Sequence, residues 1–450
     1  MSGRVLIIQL AKLGDFIQST PLLAQIRRRY PGASIVLAAE QPAVLAAAAL
    51  SPLVDEAVAA GEGAAGPAGP FEAIFVLNSH ARAAGLAAGL EAQEVYGPRL
   101  EGGRLIFTPA QEFLLALMVA GREMGRFNLV DVWLSLAPGA EPGPLVWPVP
   151  GPGPDLPPGL KIGFQLGSRN HLRRWPVEHF VSLAAALARE HPNFCPVLLG
   201  AAEERALGLK FEKLLAQAAP GLLTHNLMGR TDLAGLGAAV AGLDLLVTAD
   251  TGVMHLAAAL KRPVLSLFFG PAHGPETGPY GPGHLIYQAT APCGPCREAA
   301  DCRRRQCLEM PRPETAARLA GTLLPAPAPS GAEEIAADLP PGHRVWRTAA
   351  DNFGQSLIPL GRPPLSGGEG LALLVTEAGR GVMRPGYVPS PAALGDVLAA
   401  YGPSPEPPAV NGAVLQALAD NGFPQRPHEA RAFLRAAGKL AASVGLKLAS

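Results

Sequence analysis

An apolar run near the middle of the chain ends in an acidic residue and a glycine, and a helical stretch follows at once. It reads Leu243-Asp244-Leu245-Leu246-Val247-Thr248-Ala249-Asp250-Thr251-Gly252-Val253-Met254-His255-Leu256-Ala257-Ala258-Ala259-Leu260. The first part predicts a buried parallel strand and the last part a helix, with the turn at Asp250-Thr251-Gly252. A helix that begins at the carboxyl end of such a strand offers N–H groups and a positive dipole end to a phosphate. This stretch alone also fits an ordinary turn with Asp250 as the N-cap.

The composition limits the classes of protein to which the chain can belong. Its 450 residues are enough for two or three domains, and 48% of them are hydrophobic. The formal net charge is zero, so there is no global basic field of the kind that attracts nucleic acid. No apolar run is long enough to span a membrane, and the first residues lack the pattern of a secretory leader. We therefore expect a cytoplasmic protein without a transmembrane segment.

Strand-like and helix-like segments alternate along the chain in two successive blocks, which is typical of parallel α/β sheets. A segment rich in Pro and Gly, residues 148–159, reads as a linker between the blocks. We therefore predict two Rossmann-like α/β domains, residues 1–150 and 160–324, that face a common cleft. Residues 332–450 form a C-terminal extension in which no chemical motif is recognisable.

Two loops carry charged residues where ligands bind in such sheets. Asp15 lies just after the first strand, in Lys12-Leu13-Gly14-Asp15, and is either a general base or an acid favoured by a helix N-terminus. Arg173 and Arg174 follow the first strand of the second domain, just before Trp175-Pro176. Cations at this place suit a diphosphate, although a solvated basic loop is the alternative.

Four cysteines lie close together in the second block. Cys293, Cys296, Cys302 and Cys307 have the spacing C-x2-C-x5-C-x4-C. In a cytoplasmic chain this density predicts a tetrahedral zinc or iron site, and reduced thiols or local disulfides are the alternatives.

Taken together, these motifs resemble glycosyltransferase family 9, the ADP-heptose:lipopolysaccharide heptosyltransferases. The resemblance is carried by Lys12-Leu13-Gly14-Asp15, Arg173-Arg174-Trp175-Pro176, Gly200 with Glu203-Glu204, and Asp250-Thr251-Gly252 with His255. It extends over roughly residues 4–324 and implies the GT-B fold, in which two Rossmann-like domains face a cleft.

The resemblance also implies roles for individual residues. Asp15 looks like the catalytic base, and Lys12 and Arg82 look like acceptor contacts. Glu203 and Glu204 remain alternative ribose- or sugar-contacting acids. The residues similar to the family's donor and nucleotide site are Arg173, Arg174, Glu203, Glu204, Asp250, Thr251, Gly252 and His255.

The implied activity is inverting transfer of heptose from ADP-heptose to a lipid A–core acceptor, by a protein that is peripheral at the inner face of the cytoplasmic membrane. There is no Asp-x-Asp motif for a nucleotide-bound metal, so we expect transfer to need no cofactor. Related autotransporter heptosyltransferases carry cysteine-ligated iron, which keeps open a protein acceptor and a structural zinc or iron at the cysteines. A third alternative is a non-catalytic nucleotide-sugar binding or redox-sensing protein.

Overall fold

A computed structural model gives the structure of the protein, and it describes most of the first 361 residues. The described residues are 3–108, 126–293, 296, 302–325, 331–351, 353–361, 376 and 380.

The first sheet has five parallel strands in the order β3-β2-β1-β4-β5. Its strands are β1 (Arg4–Ile8), β2 (Ser34–Ala39), β3 (Glu56–Ala59), β4 (Pro70–Val76) and β5 (Glu91–Tyr96), and a hairpin of β6 (Arg99–Glu101) and β7 (Arg104–Ile106) follows. The helices described in this half are α1 (Leu13–Arg29), α2 (Pro42–Leu50), α3 (Ala81–Ala88) and α4 (Leu129–Leu134). The central strand β1 is buried on both faces because helices cover the sheet, which explains its unbroken apolar run.

The second sheet has eight strands in the order β10-β9-β8-β11-β12-β13-β14-β15, of which the last two are antiparallel. Its strands are β8 (Leu160–Gln165), β9 (Phe194–Leu199), β10 (His225–Asn226), β11 (Leu245–Ala249), β12 (Val264–Phe268), β13 (Leu285–Ala289), β14 (His343–Ala350) and β15 (Gln355–Leu360). The helices described around it are α5 (Val177–Glu190), α6 (Arg205–Ala218), α7 (Leu233–Ala241), α8 (Gly252–Ala259), α9 (Gly274–Thr277), α10 (Gln306–Glu309), α11 (Pro313–Gly321) and α12 (Ala332–Ala337). Two short 3₁₀ turns cover His171–Arg173 and Ala202–Glu204.

The sequence pattern predicts a helix from about Thr20 to Tyr30, whereas helix α1 begins earlier, at Leu13. Pro21 lies inside the helix and has no N–H for the carbonyl of Ile17. The hydroxyl of Thr20 donates to that carbonyl oxygen at 2.6 Å, so the lost backbone bond is replaced and the helix continues. As a result Asp15 occupies the third position of the helix and does not lie in a loop before it.

The described part of the C-terminal extension is continuous with the second sheet. Strand β14 pairs with β13, and β15 pairs with β14, so residues 343–360 widen the sheet by two strands. The domain division at residues 1–150, 160–324 and 332–450 stays a prediction, and most of the last range lies outside the described residues. Among the helices in the described part of the chain, none is both long enough and apolar enough to cross a lipid bilayer.

Candidate active site

The N-termini of α1 and α8 meet where the carboxyl edges of the two sheets face each other. A methyl group added to Gly14 would lie 2.9 Å from His255 Cδ2 and 3.4 Å from Gly252 Cα, and one added to Gly252 would lie 3.4 Å from Gly14 N. Glycine is therefore needed at position 14 to let the two helix ends approach this closely. Two positive dipole ends converge at this place, which suits an anion.

Asp15 lies at this junction with a carboxylate held in place by its own turn. Its Oδ2 accepts a hydrogen bond of 3.1 Å from the N–H of Lys12, the N-cap of α1. Burial raises the pKa of Asp15, and hydrogen bonding and charge from Lys12 and the charge of Arg173 oppose this rise. Arg173 belongs to the second domain, and its positive charge acts to lower the pKa of Asp15 in the first. This electrostatic interaction links the two halves of the site.

Arg173 forms an ion pair with Asp250, with 2.6 Å between Nη1 and Oδ2. Asn170 caps the 3₁₀ turn that presents Arg173, because its Oδ1 accepts the N–H of Leu172 at 2.9 Å. Asp250 is 7% exposed, so its charge is paired in a largely buried setting. The structure thus uses Asp250 to hold the arginine, and Thr251 is the N-cap of α8.

Thr251 and Gly252 form the start of α8 directly after β11. The Thr251 side chain makes no capping bond, and its Oγ1 lies 3.0 Å from Thr248 Oγ1. The first N–H groups of a helix have no carbonyl partner within the helix, so they can bind an anionic oxygen. They lie beside the Arg173–Asp250 pair, and a helix start next to a guanidinium is an arrangement that suits an anion.

His255 is packed inside α8 against the turn of Gly14. It is 3% exposed, and within the described structure its Nδ1 has no hydrogen-bond partner. Burial lowers the pKa of His255 to about 3, so the ring is neutral at physiological pH. The side chain therefore acts as a neutral packing group between the two helix ends.

The structure distinguishes Glu204 from Glu203, which the sequence could not. Glu204 Oε2 accepts hydrogen bonds from Ala201 N at 3.0 Å and from Gln165 Nε2 at 3.2 Å. A methyl group on Gly167 would lie 1.8 Å from Glu204 Oε1, so the carboxylate covers the turn after β8. Glu203 is exposed. Of the two acids, Glu204 is the one that lies at the carboxyl edge of the sheet.

Met228 lies beside Glu204 and was missed by the sequence interpretation. It is 1% exposed, and a methyl group on Gly200 would lie 2.6 Å from its Cε. Arg205 donates to the carbonyl oxygens of Met228 at 3.3 Å and Gly229 at 2.6 Å. The preceding strand, β10, has two residues, which is too short to give any periodic signal in the sequence.

The remaining predicted side chains lie around the mouth of the cleft. Arg82 pairs with Glu40 at 3.1 Å and is half exposed. Arg174 Nε donates to the carbonyl oxygen of Ser168, so this side chain folds back over its own loop. Lys12 is exposed at the start of α1. The structure therefore joins Asp15, Arg173 and the start of α8 at the centre and leaves these three cations at the rim.

The four cysteines of the predicted metal site line one small cavity. Cys293, Cys296, Cys302 and Cys307 share it with the turn at Gly270. All four thiols are free, and burial raises the pKa of Cys296 and of Cys307. Within the described residues, no group of three or more His, Cys, Asp or Glu side chains is arranged to hold a metal ion. As placed, the thiols share a cavity without forming a ligand set.

Two α/β sheets, the first parallel and the second parallel except for its last two strands, face each other at their carboxyl edges, which is the arrangement of the GT-B fold. The solved structure of ADP-heptose lipopolysaccharide heptosyltransferase II from E. coli superposes with a TM-score of 0.50 and 21% sequence identity, over 71% of this chain and 98% of that one. The predicted GT-B fold is confirmed by this similarity.

The second half of the chain is similar to a known family. The profile of glycosyltransferase family 9 (heptosyltransferase) matches residues 158–306. The chain is 34% identical over 124 residues to lipopolysaccharide heptosyltransferase 1 of Pseudomonas aeruginosa, covering 28% of this chain and 32% of that protein. It is 34% identical over 119 residues to lipopolysaccharide heptosyltransferase 2 of Salmonella typhimurium, covering 26% of this chain and 33% of that protein. The matched regions span about a third of the length of these curated relatives.

Proposed function

We propose that this protein is an inverting glycosyltransferase that moves a heptose from ADP-heptose to a lipopolysaccharide inner-core acceptor. The observation that carries the proposal is the convergence of Asp15, Arg173 and the N-terminus of α8 at one junction between two domains. A base from one domain then faces an anion site of the other, which is the arrangement that sugar transfer requires.

The reaction forms one bond and breaks one at the anomeric carbon of the donor. An acceptor hydroxyl oxygen attacks that carbon, and the bond from the carbon to the diphosphate oxygen breaks. Asp15 takes the proton of the hydroxyl, and ADP leaves with the electron pair of the broken bond. The pKa of Asp15 is raised by burial, which makes its carboxylate a better proton acceptor than an exposed aspartate.

The departing diphosphate gains negative charge in the transition state. Arg173 and the first N–H groups of α8 supply positive potential at the place where this charge develops. The Arg173–Asp250 ion pair of 2.6 Å holds the guanidinium before the donor binds, so little reorganisation is needed. In this scheme the protein itself neutralises the leaving group, and transfer uses no cofactor.

The nucleoside is assigned to the carboxyl edge of the second sheet, beside the start of α8. Glu204 lies at this edge, at the turn after β8, and is assigned to the ribose, whereas Met228 is buried and packs against Gly200. Arg174 is assigned to the outer side of the diphosphate, and Lys12 and Arg82 to an anionic acceptor at the rim. We place the protein at the inner face of the cytoplasmic membrane, where a lipid A–core acceptor would be met.

The proposal is tested first by donor binding and then by transfer. Calorimetry should rank ADP-heptose above UDP-, GDP- and dTDP-sugars, and ADP release should require a lipid A–core acceptor that lacks the heptose. An autotransporter passenger peptide serves as the competing acceptor. Preference for another nucleotide would overturn the donor, and transfer to the peptide alone would overturn the acceptor.

We also propose that the four cysteines bind a structural zinc or iron ion, with no part in transfer. The supporting observation is that all four thiols line one cavity beside Gly270, and a methyl group on Gly270 would lie 2.6 Å from the carbonyl oxygen of Leu172 in the Arg173 turn. Metal binding would draw the thiols together and make the contact between Gly270 and the turn at Leu172 more rigid. Elemental analysis of protein purified under reducing conditions should find about one equivalent of metal. Less than about 0.2 equivalents, with all four thiols titratable, would reject the site.

A further inference from the structure

Two amide side chains lie side by side at the carboxyl edge of the first sheet, below the turn that carries Asp15. Gln9 directly follows β1, and Asn78 follows the adjacent strand β4 by two positions. Gln9 is fully buried, and Asn78 is partly buried. Because β1 and β4 are parallel neighbours, their carboxyl ends bring these two residues together although they are far apart in sequence.

The two amides bond to each other and to the backbone between β1 and α1. Asn78 Nδ2 donates to Gln9 Oε1 at 2.7 Å, and Asn78 Oδ1 accepts the N–H of Leu10 at 2.6 Å. Gln9 Oε1 also accepts the N–H of Ala11 at 3.2 Å. Gln9 Nε2 donates to the backbone carbonyl oxygen of Asp15 at 3.4 Å. Both polar atoms of the Gln9 side chain are thus used, on the two ends of the same turn.

These bonds act on the backbone of the turn that leads to Asp15, and the carboxylate itself accepts the N–H of Lys12. The turn is tied at its start through Leu10 and Ala11 and at its end through the Asp15 carbonyl, and Lys12 N–H then binds the carboxylate. Burying an amide costs free energy unless its polar atoms are hydrogen-bonded. An apolar side chain of the same size would fill the space without needing any hydrogen bonds. The amide pair therefore serves to hold backbone groups in place as well as to fill the core.

We infer that Gln9 and Asn78 are positioning residues that hold Asp15 at the angle needed to accept the acceptor's proton. The inference rests on the proposed transfer reaction. Neither side chain lies at the anion site formed by Arg173 and α8, so neither is assigned to donor binding. A misplacement of about 1 Å in a catalytic group can cost about 100-fold in rate, which is the scale of the expected effect.

Gln9→Leu removes the amide and keeps a similar volume. We expect kcat to fall about 10- to 100-fold while the KM for ADP-heptose stays within about twofold. The same substitution in an Asp15→Asn background should cause no further loss, because the positioned group is already absent. A purely structural role would lower kcat by the same factor in both backgrounds and would overturn the inference. So would wild-type kcat in Gln9→Leu.

The control is Gln18→Leu, which removes a buried glutamine amide on the same helix as Asp15. Within the described residues the Nε2 of Gln18 has no hydrogen-bond partner, so this variant should keep wild-type kcat. Asn78→Ala tests the pair from the other strand, with less risk to the fold because Asn78 is only partly buried. It should give the same fall in kcat and the same lack of additivity with Asp15→Asn. An Asn78→Ala enzyme with wild-type kcat would contradict the inference.

Amide hydrogen exchange tests the network without relying on turnover. Exchange at Leu10 and Ala11 should become about tenfold faster in Gln9→Leu and in Asn78→Ala, because each variant removes bonds to that turn. Unchanged exchange would overturn the inference even if the wild-type protein proved inactive. Wild-type protein that transfers no heptose but shows the faster exchange in both variants would instead count against the proposed function alone.

Discussion

Asp15 combines two features that a general base needs at neutral pH. Burial raises the pKa of its carboxyl, which strengthens it as a proton acceptor, and the hydrogen bond from the Lys12 N–H and the charges of Lys12 and Arg173 oppose that rise. Its backbone position at the start of α1 would by itself favour an ionised acid.

Asp15→Asn keeps the size of the side chain and removes the base. We expect turnover to fall by a factor on the order of 10² to 10⁴, the usual range for loss of a general base. ADP affinity measured by calorimetry should stay close to that of the wild type, because Asp15 is assigned to the acceptor hydroxyl and not to a contact with the diphosphate. Near-normal turnover would exclude Asp15 from the mechanism.

Arg173→Ala should weaken ADP binding, because the diphosphate loses a charge-assisted hydrogen bond worth about 1.5–3 kcal/mol. The variant should also be less stable to heat than wild type, since Asp250 would keep a charge that is 7% exposed without its partner at 2.6 Å.

Arg174→Ala is the matched comparison for this prediction, because Arg174 lies at the rim. Among the contacts described, the Nε of Arg174 donates only to the loop carbonyl oxygen of Ser168. It should weaken ADP binding less than Arg173→Ala does and leave the melting temperature nearly unchanged. Equal ADP affinity in wild type and Arg173→Ala would show that the diphosphate lies elsewhere.

At the scale of elements, the site depends on how closely α1 approaches α8. The contact is made by glycine on both sides, with the neutral ring of His255 beneath it. Any side chain at position 14 must therefore push the two helices apart, and with them Asp15 and the start of α8.

Gly14→Ala would place a methyl group 2.9 Å from His255 Cδ2, and an overpacked contact of this kind typically costs about 1–3 kcal/mol. We expect a lower melting temperature and slower transfer. Gly61→Ala is the control, because an added methyl there meets nothing within 4 Å and its effect should be small. If both variants behave alike in thermal melts and in transfer assays, the helix contact does not set the geometry of the site.

The elements differ in how far the sequence could predict them. β1 and β11 were predicted because strands buried on both faces are apolar throughout. The start of α1 was placed too late, because Pro21 looks like a helix boundary unless the Thr20 hydroxyl is known to replace the missing bond. β14 and β15 follow a Pro-rich segment, and their attachment to β13 depends on tertiary packing that no local pattern reveals.

The candidate site was only partly predictable for the same kind of reason. The motifs around Asp15 and Arg173 can be recognised locally, and the resemblance to family 9 named both. The contact between Gln9 and Asn78 depends on the pairing of β1 with β4, and the choice of Glu204 over Glu203 depends on the turn at Gly167. Such contacts between distant segments become visible only when the strand order is known.

At the scale of the whole molecule, α4 joins the two halves. Trp133 Nε1 donates to the carbonyl oxygen of Leu77 in the first half at 3.2 Å. Asp131 accepts a hydrogen bond of 2.8 Å from the Tyr280 hydroxyl in the second half, and Asn128 donates to the Gly278 carbonyl oxygen at 3.1 Å. The helix is therefore bonded to both domains that must hold Asp15 and Arg173 together.

This junction should make stability depend on pH. Burial raises the pKa of Asp131 to about 7, against the hydrogen bond from Tyr280 and the charge of Arg380. The folded state then binds a proton more tightly than the unfolded state, whose carboxyl titrates near 3.8. The contribution of Asp131 to stability is complete below that value and is lost as the pH rises to about 7.

Melting temperatures of wild type and Asp131→Asn, measured from about pH 5 to about pH 8, test this account. The wild type should lose more stability than the variant as the pH rises, by an amount on the order of 2 kcal/mol. The comparison isolates Asp131 because the buried rings of His255 and His284, whose pKa values are lowered to about 3 and about 4, contribute equally to both proteins. Parallel curves would mean that Asp131 does not titrate in this range.

The most direct test of the central claim is acceptor-dependent release of ADP from ADP-heptose by the wild-type protein, with Asp15→Asn and Arg173→Ala in parallel. We predict rapid release with a heptose-deficient lipid A–core acceptor, slow release without it, and strong losses in both variants. Asp15→Asn should lose turnover at unchanged donor affinity, and Arg173→Ala should lose donor affinity as well. If the wild type releases no ADP in the presence of the acceptor, or if both variants release it at the wild-type rate, the proposed transfer at this cleft is contradicted.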